Sequence, residues 1–543
     1  MKARQADFPA RIERVQGDGD IVFLSNSNGI DGGGKSLDHR PTIRHCQRWH
    51  NSIFGRQPRR FRMPQLSLHP DRLFPADPDT RAIARELYAQ VAGLPIVSPH
   101  GHTDPAWFAS DAAWTNATEL LLAPDHYLFR MLYSQGIDLD ALAVPRKGGL
   151  LPDTDPREAW RLFAANWHLF RGTPSSMWLD HVFAEVFGIA VTLDAGSADH
   201  YYDTIAEALA SPAFRPRALF ERFNIELLAT TEGAGDDLKH HKAIRASGWK
   251  GNVVTTYRPD SVIDPEHDSF ARDLARFAQL SGEDVGSWQG YLAAHRKRRA
   301  DFQEMGATAT DHGFLSARTA DLSTAACEAL FAKVMGGKAD AAEAELFRAQ
   351  MLTEMARMSL EDGMTMQIHP GATRNHNARL FASHGRDKGA DIPRGTEYVE
   401  ALRPMLDLFG NEPGLTVILF TLDETTYARE LAPLAGHYPA LRLGPAWWFH
   451  DSPEGMRRFR EMTTETAGFY NTVGFNDDTR AFLSIPARHD VARRIDCGFL
   501  ARLVAEHRLA DWEAAELAQE LTLGLVRKAY GLKAPASRVV ELA

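Results

Sequence analysis

Two histidines one residue apart, His100 and His102, stand directly after the short apolar run Leu94–Ser98. In extended chain, residues i and i+2 face the same side, so both imidazoles converge on one point. Neutral imidazole is a common ligand for zinc and similar divalent metals, and two from one strand make half a site. A surface or packing pair is the alternative, and the position at a strand end favours the ligand reading. Other apolar runs end in residues of the same chemical kinds. They lead into Thr231-Glu232, Arg258-Pro259-Asp260, Asp311-His312, His369 with Arg374, Asn375 and His376 behind it, Asp423, Trp447-Trp448, and Asn476-Asp477-Asp478-Thr479-Arg480. Imidazoles, carboxylates and guanidinium groups brought to one place can bind a metal, move protons and hold an anion.

That convergence needs a fold which carries all the strand ends to one face. Eight candidate strands are readable: Leu94–Ser98, Ile225–Thr230, Asn252–Tyr257, Ala307–Thr310, Met364–Ile368, Leu415–Phe420, Ala440–Leu443 and Thr472–Phe475. Helical patterns separate most of them, as in TRAIARELYAQVAG before the first and AELFRAQMLTEMARMSLEDG before the fifth. Strands alternating with helices imply right-handed crossovers and a parallel sheet, and eight suggest closure into an α/β barrel of the TIM type. In such a barrel the strand C-termini share the face where active sites form. The stretch between Ser98 and Ile225 is far longer than a crossover needs. Its segments EAWRLFAANWHLFRG and MWLDHVFAEVFG predict a helical insertion over one end of the barrel, spanning about 106–222, with its aromatic stripe in a core.

Composition narrows the class. The 543 residues are 44% hydrophobic and 24% charged, with a formal net charge of −10. That balance argues against a nucleic-acid binder, which needs a basic excess to neutralise phosphates. Cys46, Cys327 and Cys497 are too few and too scattered for a disulfide framework, which points to a reducing compartment. The run Leu415 to Leu422 is too short to cross a bilayer, and the first residues lack a signal peptide's apolar core, so no membrane association and a cytoplasmic location are expected. Residues 1–62 hold 12 Lys/Arg against 6 Asp/Glu and almost no apolar pattern. They read as a disordered extension, with residues 63–543 as the barrel unit and Met63 as a natural start. A basic arm for an anionic partner is the other reading.

The segments PHGHTDP, APDHYLFR, TYRPD, DHGF, MQIHPGATRNHN, GPAWWFHDSPEGM and NDDTRAFLSIPARHDVARR, in this order, resemble the uronate (glucuronate) isomerase family of the amidohydrolase superfamily. The resemblance covers residues 66 to about 530. It implies a distorted (β/α)8 barrel with a large helical insertion after the first strand. It also implies interconversion of D-glucuronate with D-fructuronate and of D-galacturonate with D-tagaturonate. One departure is Ser98-Pro99, where many members carry an acidic residue and a tyrosine before the histidine pair.

Carried onto this chain, the resemblance makes His100, His102 and Asp478 the expected ligands of a divalent metal, zinc first among the candidates. Asp478 is also the expected acid/base, with helix capping by Asp477 or Asp478 as the structural alternative. His126 and Tyr127 of the insertion are expected to reach the sugar, Tyr127 as a proton shuttle. Aldose–ketose interconversion moves a proton between C1 and C2 and needs a base plus stabilisation of an enediolate-like transition state. The substrate carboxylate needs a cation, and the planar fork of arginine suits it, so Arg258, Arg374 and Arg480 are substrate-binding candidates. His312, His369 and Trp447 complete the expected substrate contacts. The expected partner is a small hexuronate, acted on by a homo-oligomer. Two other functions fit less well: a metal-dependent hydrolase, for which no lysine ends a middle strand, and a catalytically silent uronate-binding protein.

Overall fold

A computed structural model of the chain describes residues 65–532. The segment 1–62 and its reading as an extension lie outside the described residues. Among the described residues there are nine strands: β1 (Ile96–Ser98), β2 (Ile225–Gly233), β3 (Val253–Arg258), β4 (Ala309–His312), β5 (Thr365–Ile368), β6 (Ala372–Thr373), β7 (Ile392–Pro393), β8 (Val417–Leu419) and β9 (Leu441–Leu443). Seven form one parallel sheet in the order β1-β2-β3-β4-β5-β8-β9. β-Branched and apolar residues buried on both faces explain why these runs become strands; in β3 every residue but the last is buried. The β2–β3 pair is the longest, running from Leu228 opposite Val253 to Gly233 opposite Arg258.

The eighth expected strand, Thr472–Phe475, is reduced to one parallel bridge between Thr472 and Leu443. Val473 N–H still donates to the Leu443 carbonyl at 3.1 Å, but the ladder stops there. Gly474 has φ +74°, a left-handed turn that strand pairing does not tolerate, and a Cβ on it would meet the Leu521 carbonyl oxygen at 2.5 Å. The ring is joined at its mouth instead, where His102 N–H donates to the Thr479 carbonyl at 3.0 Å. Val97, Ala309, Ile418, Phe420 and Val473 share an apolar cluster inside it. The result is a distorted (β/α)8 barrel.

Between β1 and β2 the chain folds into a set of short helices, including Pro105–Ser110, His126–Ser134, Pro156–Ala165, Pro174–His181 and Ala198–Leu209. Asp104, Asp125, Asp155 and Thr173 each accept a backbone N–H at the start of the first four of these helices, and proline follows at the first helical position in three of them. Both are strong helix-start signals, because they satisfy or dispense with otherwise orphaned donors. The helices have their own core, in which Trp160, Phe163, Phe170, Phe183 and Tyr201 are fully buried. None of the helices among the described residues is long and apolar enough to cross a membrane.

Candidate active site

The C-terminal ends of the strands surround a cavity of about 400 Å³, within the usual range for a small-molecule site. Beyond β1, His100 is buried while His102 faces the cavity, with their ring centroids 5.4 Å apart. Asp478 meets them from the far end of the chain. Its Oδ1 lies 3.3 Å from His100 Nε2 and 3.1 Å from His102 Nε2. Asp478 adopts φ +39°, a backbone conformation uncommon for residues other than glycine. The Trp447 indole N–H donates to its other oxygen, Oδ2. Burial alone would raise the Asp478 pKa, but the two imidazoles more than offset it and hold the carboxyl well below the usual range. Neither Asp477 nor Asp478 caps the following helix, Ile485–Ala505, whose N-cap is Ser484; Asp477 Oδ2 instead lies 3.0 Å from His489 Nε2.

A second charged cluster lies beside the first. Asp311, the third residue of β4, is fully buried, with Oδ1 2.6 Å from His369 Nε2 and Oδ2 3.3 Å from Arg258 Nη1. Arg258 also donates through Nε to Asp260 at 3.0 Å. Burial works against ionisation of Asp311, yet the neighbouring His369, Arg258 and His100 hold its carboxyl well below its ordinary pKa. Asp311 stands at one of the strand ends read above but was given no role there. His312, by contrast, was expected among the substrate contacts and does not reach the cavity. It is fully buried, its Nε2 lies 3.0 Å from Thr310 Oγ1, and burial pushes its pKa down to about 3. Successive side chains of a strand point to opposite faces, and Asp311 takes the inward position.

The helical insertion supplies the opposite wall. Asp125 accepts the Tyr127 N–H at 2.9 Å and so starts the helix His126–Ser134 with both His126 and Tyr127 lining the cavity. The Tyr127 hydroxyl donates to Asp451, 3.0 and 3.1 Å from its two oxygens, and accepts the Phe449 N–H at 3.3 Å. Arg488 donates to the same Asp451 carboxylate at 2.8 Å, and its guanidinium lies 3.6 Å from the ring centre of Trp178. Burial first, and Asp451 second, raise the Tyr127 phenol well above its ordinary pKa. Burial likewise pushes the His126 imidazole down to about 3, helped by the charge of Arg480, so it is neutral at working pH.

Over the mouth runs the connection between β6 and β7, a two-residue antiparallel pair that sequence periodicity did not indicate. It carries Asp387 and Asp391. Arg480 pairs with Asp387 at 3.0 Å, and Arg374 pairs with Asp391 at 2.8 Å while lying 5.4 Å from the Trp448 ring centre. Of the residues singled out from sequence, His102, His126, Tyr127, Arg258, His369, Arg374, Trp447, Asp478 and Arg480 all line this one cavity. Arg386 and Arg488 line it too. Arg488 was hidden in SIPARHDVARR, a helical run whose arginines look like an ordinary solvated face.

The buried histidines carry a pH prediction. His126 and His312 are pushed down to about 3 and His241 to about 4, in each case by burial first. Their native pKa values lie below the unfolded value near 6.5, so the unfolded chain takes up these protons first. Their contribution to stability is therefore complete above about pH 6.5 and is lost as pH falls toward 3. His100, whose pKa Asp311 and Asp478 raise against the effect of burial, and the buried carboxyls of Glu232 and Asp180, pushed up to about 8 and about 6, act in the opposite sense but are outnumbered, since burial also lowers His102 and His489. The thermal unfolding midpoint of chelator-treated protein should fall steadily from pH 7 to pH 4.5; a flat or rising midpoint would contradict this assignment.

The sequence profile of the family described as glucuronate isomerase matches residues 79–527. The chain is 72% identical over 471 residues to a uronate isomerase of Phenylobacterium zucineum, covering 87% of this chain and 98% of that protein. It is 70% identical to a uronate isomerase of Sphingopyxis alaskensis, covering 87% and 100%. Among solved structures, a glucuronate isomerase from Caulobacter crescentus superimposes with a TM-score of 0.86 at 66% identity, covering 87% of this chain and 98% of that one. With matches of this extent, the chain belongs to the glucuronate isomerase family.

Proposed function

We propose that this enzyme interconverts D-glucuronate with D-fructuronate, and D-galacturonate with D-tagaturonate, by moving a proton between C2 and C1 of the open-chain sugar. The observation that carries the reading is the meeting of Asp478 with His100 and His102 at the cavity. These residues fit a divalent metal: their ligand atoms lie within 4.8 Å of one another, and Asp478 Oδ1 is buried without a hydrogen-bond partner despite two ring nitrogens nearby. Two imidazoles and a carboxylate with an open position suit zinc. A cation held there supplies Lewis-acid polarisation of a sugar oxygen.

The chain's own groups do the rest. The ionised Asp478 accepts the proton leaving C2 and returns it to C1, while the O2 hydroxyl proton passes to O1 with Tyr127 as the shuttle, so no proton is gained or lost overall. Its Oδ2 is aimed by the Trp447 indole N–H. Tyr127, held by Asp451 and Arg488, and the neutral His126 face the sugar hydroxyls from the insertion. Arg480 anchors the C6 carboxylate: one of its guanidinium nitrogens pairs with Asp387, leaving the rest of the fork for the substrate. Arg258, Arg374 and His369 are further contacts, and Trp447 also offers an apolar edge. We place the protein in the cytoplasm as a homo-oligomer, a location consistent with the buried free thiols Cys327 and Cys497. The experiment is a ketouronate-forming assay on purified protein with D-glucuronate, beside a panel of amides and lactones. Conversion of the uronate alone, abolished by chelator and restored by Zn2+, is expected; hydrolysis of a panel member without uronate turnover would overturn the reading.

A further inference from the structure

Behind the candidate ligands lies a buried polar chain of which only Asn476 borders the cavity. Gln367 of β5 is fully buried, and its Nε2 lies 3.3 Å from His100 Nδ1 and 3.3 Å from the Thr310 carbonyl. Its Oε1 accepts the Tyr530 hydroxyl at 2.8 Å. That hydroxyl in turn accepts the Asn476 Nδ2 at 3.2 Å, while Asn476 Oδ1 is buried with no partner. Tyr530 follows the helix Leu525–Ala529 near the end of the chain, and Asn476 stands two residues before Asp478. The far side of one candidate ligand is thereby tied to the segment that carries another.

A neutral imidazole has one donor and one acceptor nitrogen, and the partner of one fixes the role of the other. With the Gln367 amide donating to Nδ1, the His100 proton sits on Nε2, toward Asp478. Metal ligation through Nε2 demands the opposite arrangement, with Nδ1–H donating to an acceptor. Gln367 can supply that acceptor by exchanging the ends of its amide. Oε1 then faces His100, Nε2 donates to the Tyr530 oxygen, and, with the Asn476 amide turned end for end as well, the Tyr530 hydroxyl donates to Asn476 Oδ1, the spare acceptor in the chain. The exchange gives up the contact of Gln367 Nε2 with the Thr310 carbonyl. That contact favours the present orientation until a cation is bound.

We propose that Gln367, backed by Tyr530 and Asn476, is a positioning residue that selects the tautomer of His100 able to hold the metal. The inference rests on the metal reading given above. Its test is Zn2+ affinity of the full chain, measured by competition with a chromophoric chelator. Gln367→Leu should weaken Zn2+ binding about 10- to 100-fold, the usual scale for loss of a ligand's supporting hydrogen bond. Tyr530→Phe should weaken it less. Gln367→Glu, which can only accept, should bind Zn2+ at least as tightly as the wild type, a rescue that a merely structural role would not produce. If Gln367→Leu fails to fold, the contrast between Gln367→Glu and Tyr530→Phe decides alone. Equal affinities throughout, or a Gln367→Glu variant weakened below the wild type, would overturn the relay. If His102→Ala loses Zn2+ while the Gln367 variants match the wild type, the relay falls and the proposed function stands. Full uronate turnover by wild-type protein in chelator would remove the metal reading and the relay together, while the isomerisation itself would stand.

Discussion

Replacing Asp478 by asparagine is expected to lower kcat for D-glucuronate by about 10³- to 10⁴-fold, the upper part of the range for loss of a positioned acid/base group. The substitution is nearly isosteric, so the cavity keeps its shape while the group that takes and returns the proton is removed. It also takes one negative charge from the cluster with His100 and His102, where Oδ1 lies 3.3 and 3.1 Å from their Nε2 atoms. Zn2+ affinity should therefore fall as well, and kinetics at saturating Zn2+ separate the two losses. A variant that turns over at near the wild-type rate once Zn2+ is saturating would remove Asp478 from the proton transfer and leave it only a ligand role.

Arg480→Met should act on binding more than on chemistry. A charge-assisted pair between guanidinium and carboxylate in a partly buried site is worth about 2–5 kcal/mol when one partner is deleted. At 1.4 kcal/mol per decade, that corresponds to roughly 30- to 4,000-fold in kcat/KM, carried mainly by a higher KM. Asp387, left behind by the substitution, is about half exposed, so solvent compensates it and the fold survives. Steady-state kinetics check this directly: an unchanged KM would show that C6 is anchored elsewhere, with Arg258 or Arg374 next in line.

How much of this was readable before the structure depends on how local each signal is. The His100/His102 pair needs only the two-residue period of a strand, and its convergence follows from spacing. Seven of eight strands were readable because each is a short, largely buried run between helical stretches, most of them carrying β-branched residues. The eighth fails because one glycine, Gly474, turns left-handed and a single-residue cause leaves no periodic trace. His312 was misplaced because strand phase cannot be set on a four-residue element when both neighbours at its end are polar. Asp311 was passed over for the same reason. The roles of Asp451 and Arg488 exist only in three dimensions: Asp451 meets Tyr127 across 324 positions of sequence, and Arg488 sits in a helix with other arginines around it. Gln367 looked like one more residue of a strand, and its partner Tyr530 lies 163 positions away.

The claim beneath all of this is that His100, His102 and Asp478 hold one divalent cation at the mouth of the barrel. The measurement that bears on it most directly is anomalous diffraction at the zinc absorption edge from crystals of Zn2+-loaded protein. The account predicts one strong peak about 2.0–2.2 Å from His100 Nε2, His102 Nε2 and an Asp478 carboxylate oxygen, the ordinary bond lengths for these ligands. A peak ligated elsewhere, or a zinc site from which Asp478 is absent, would contradict it.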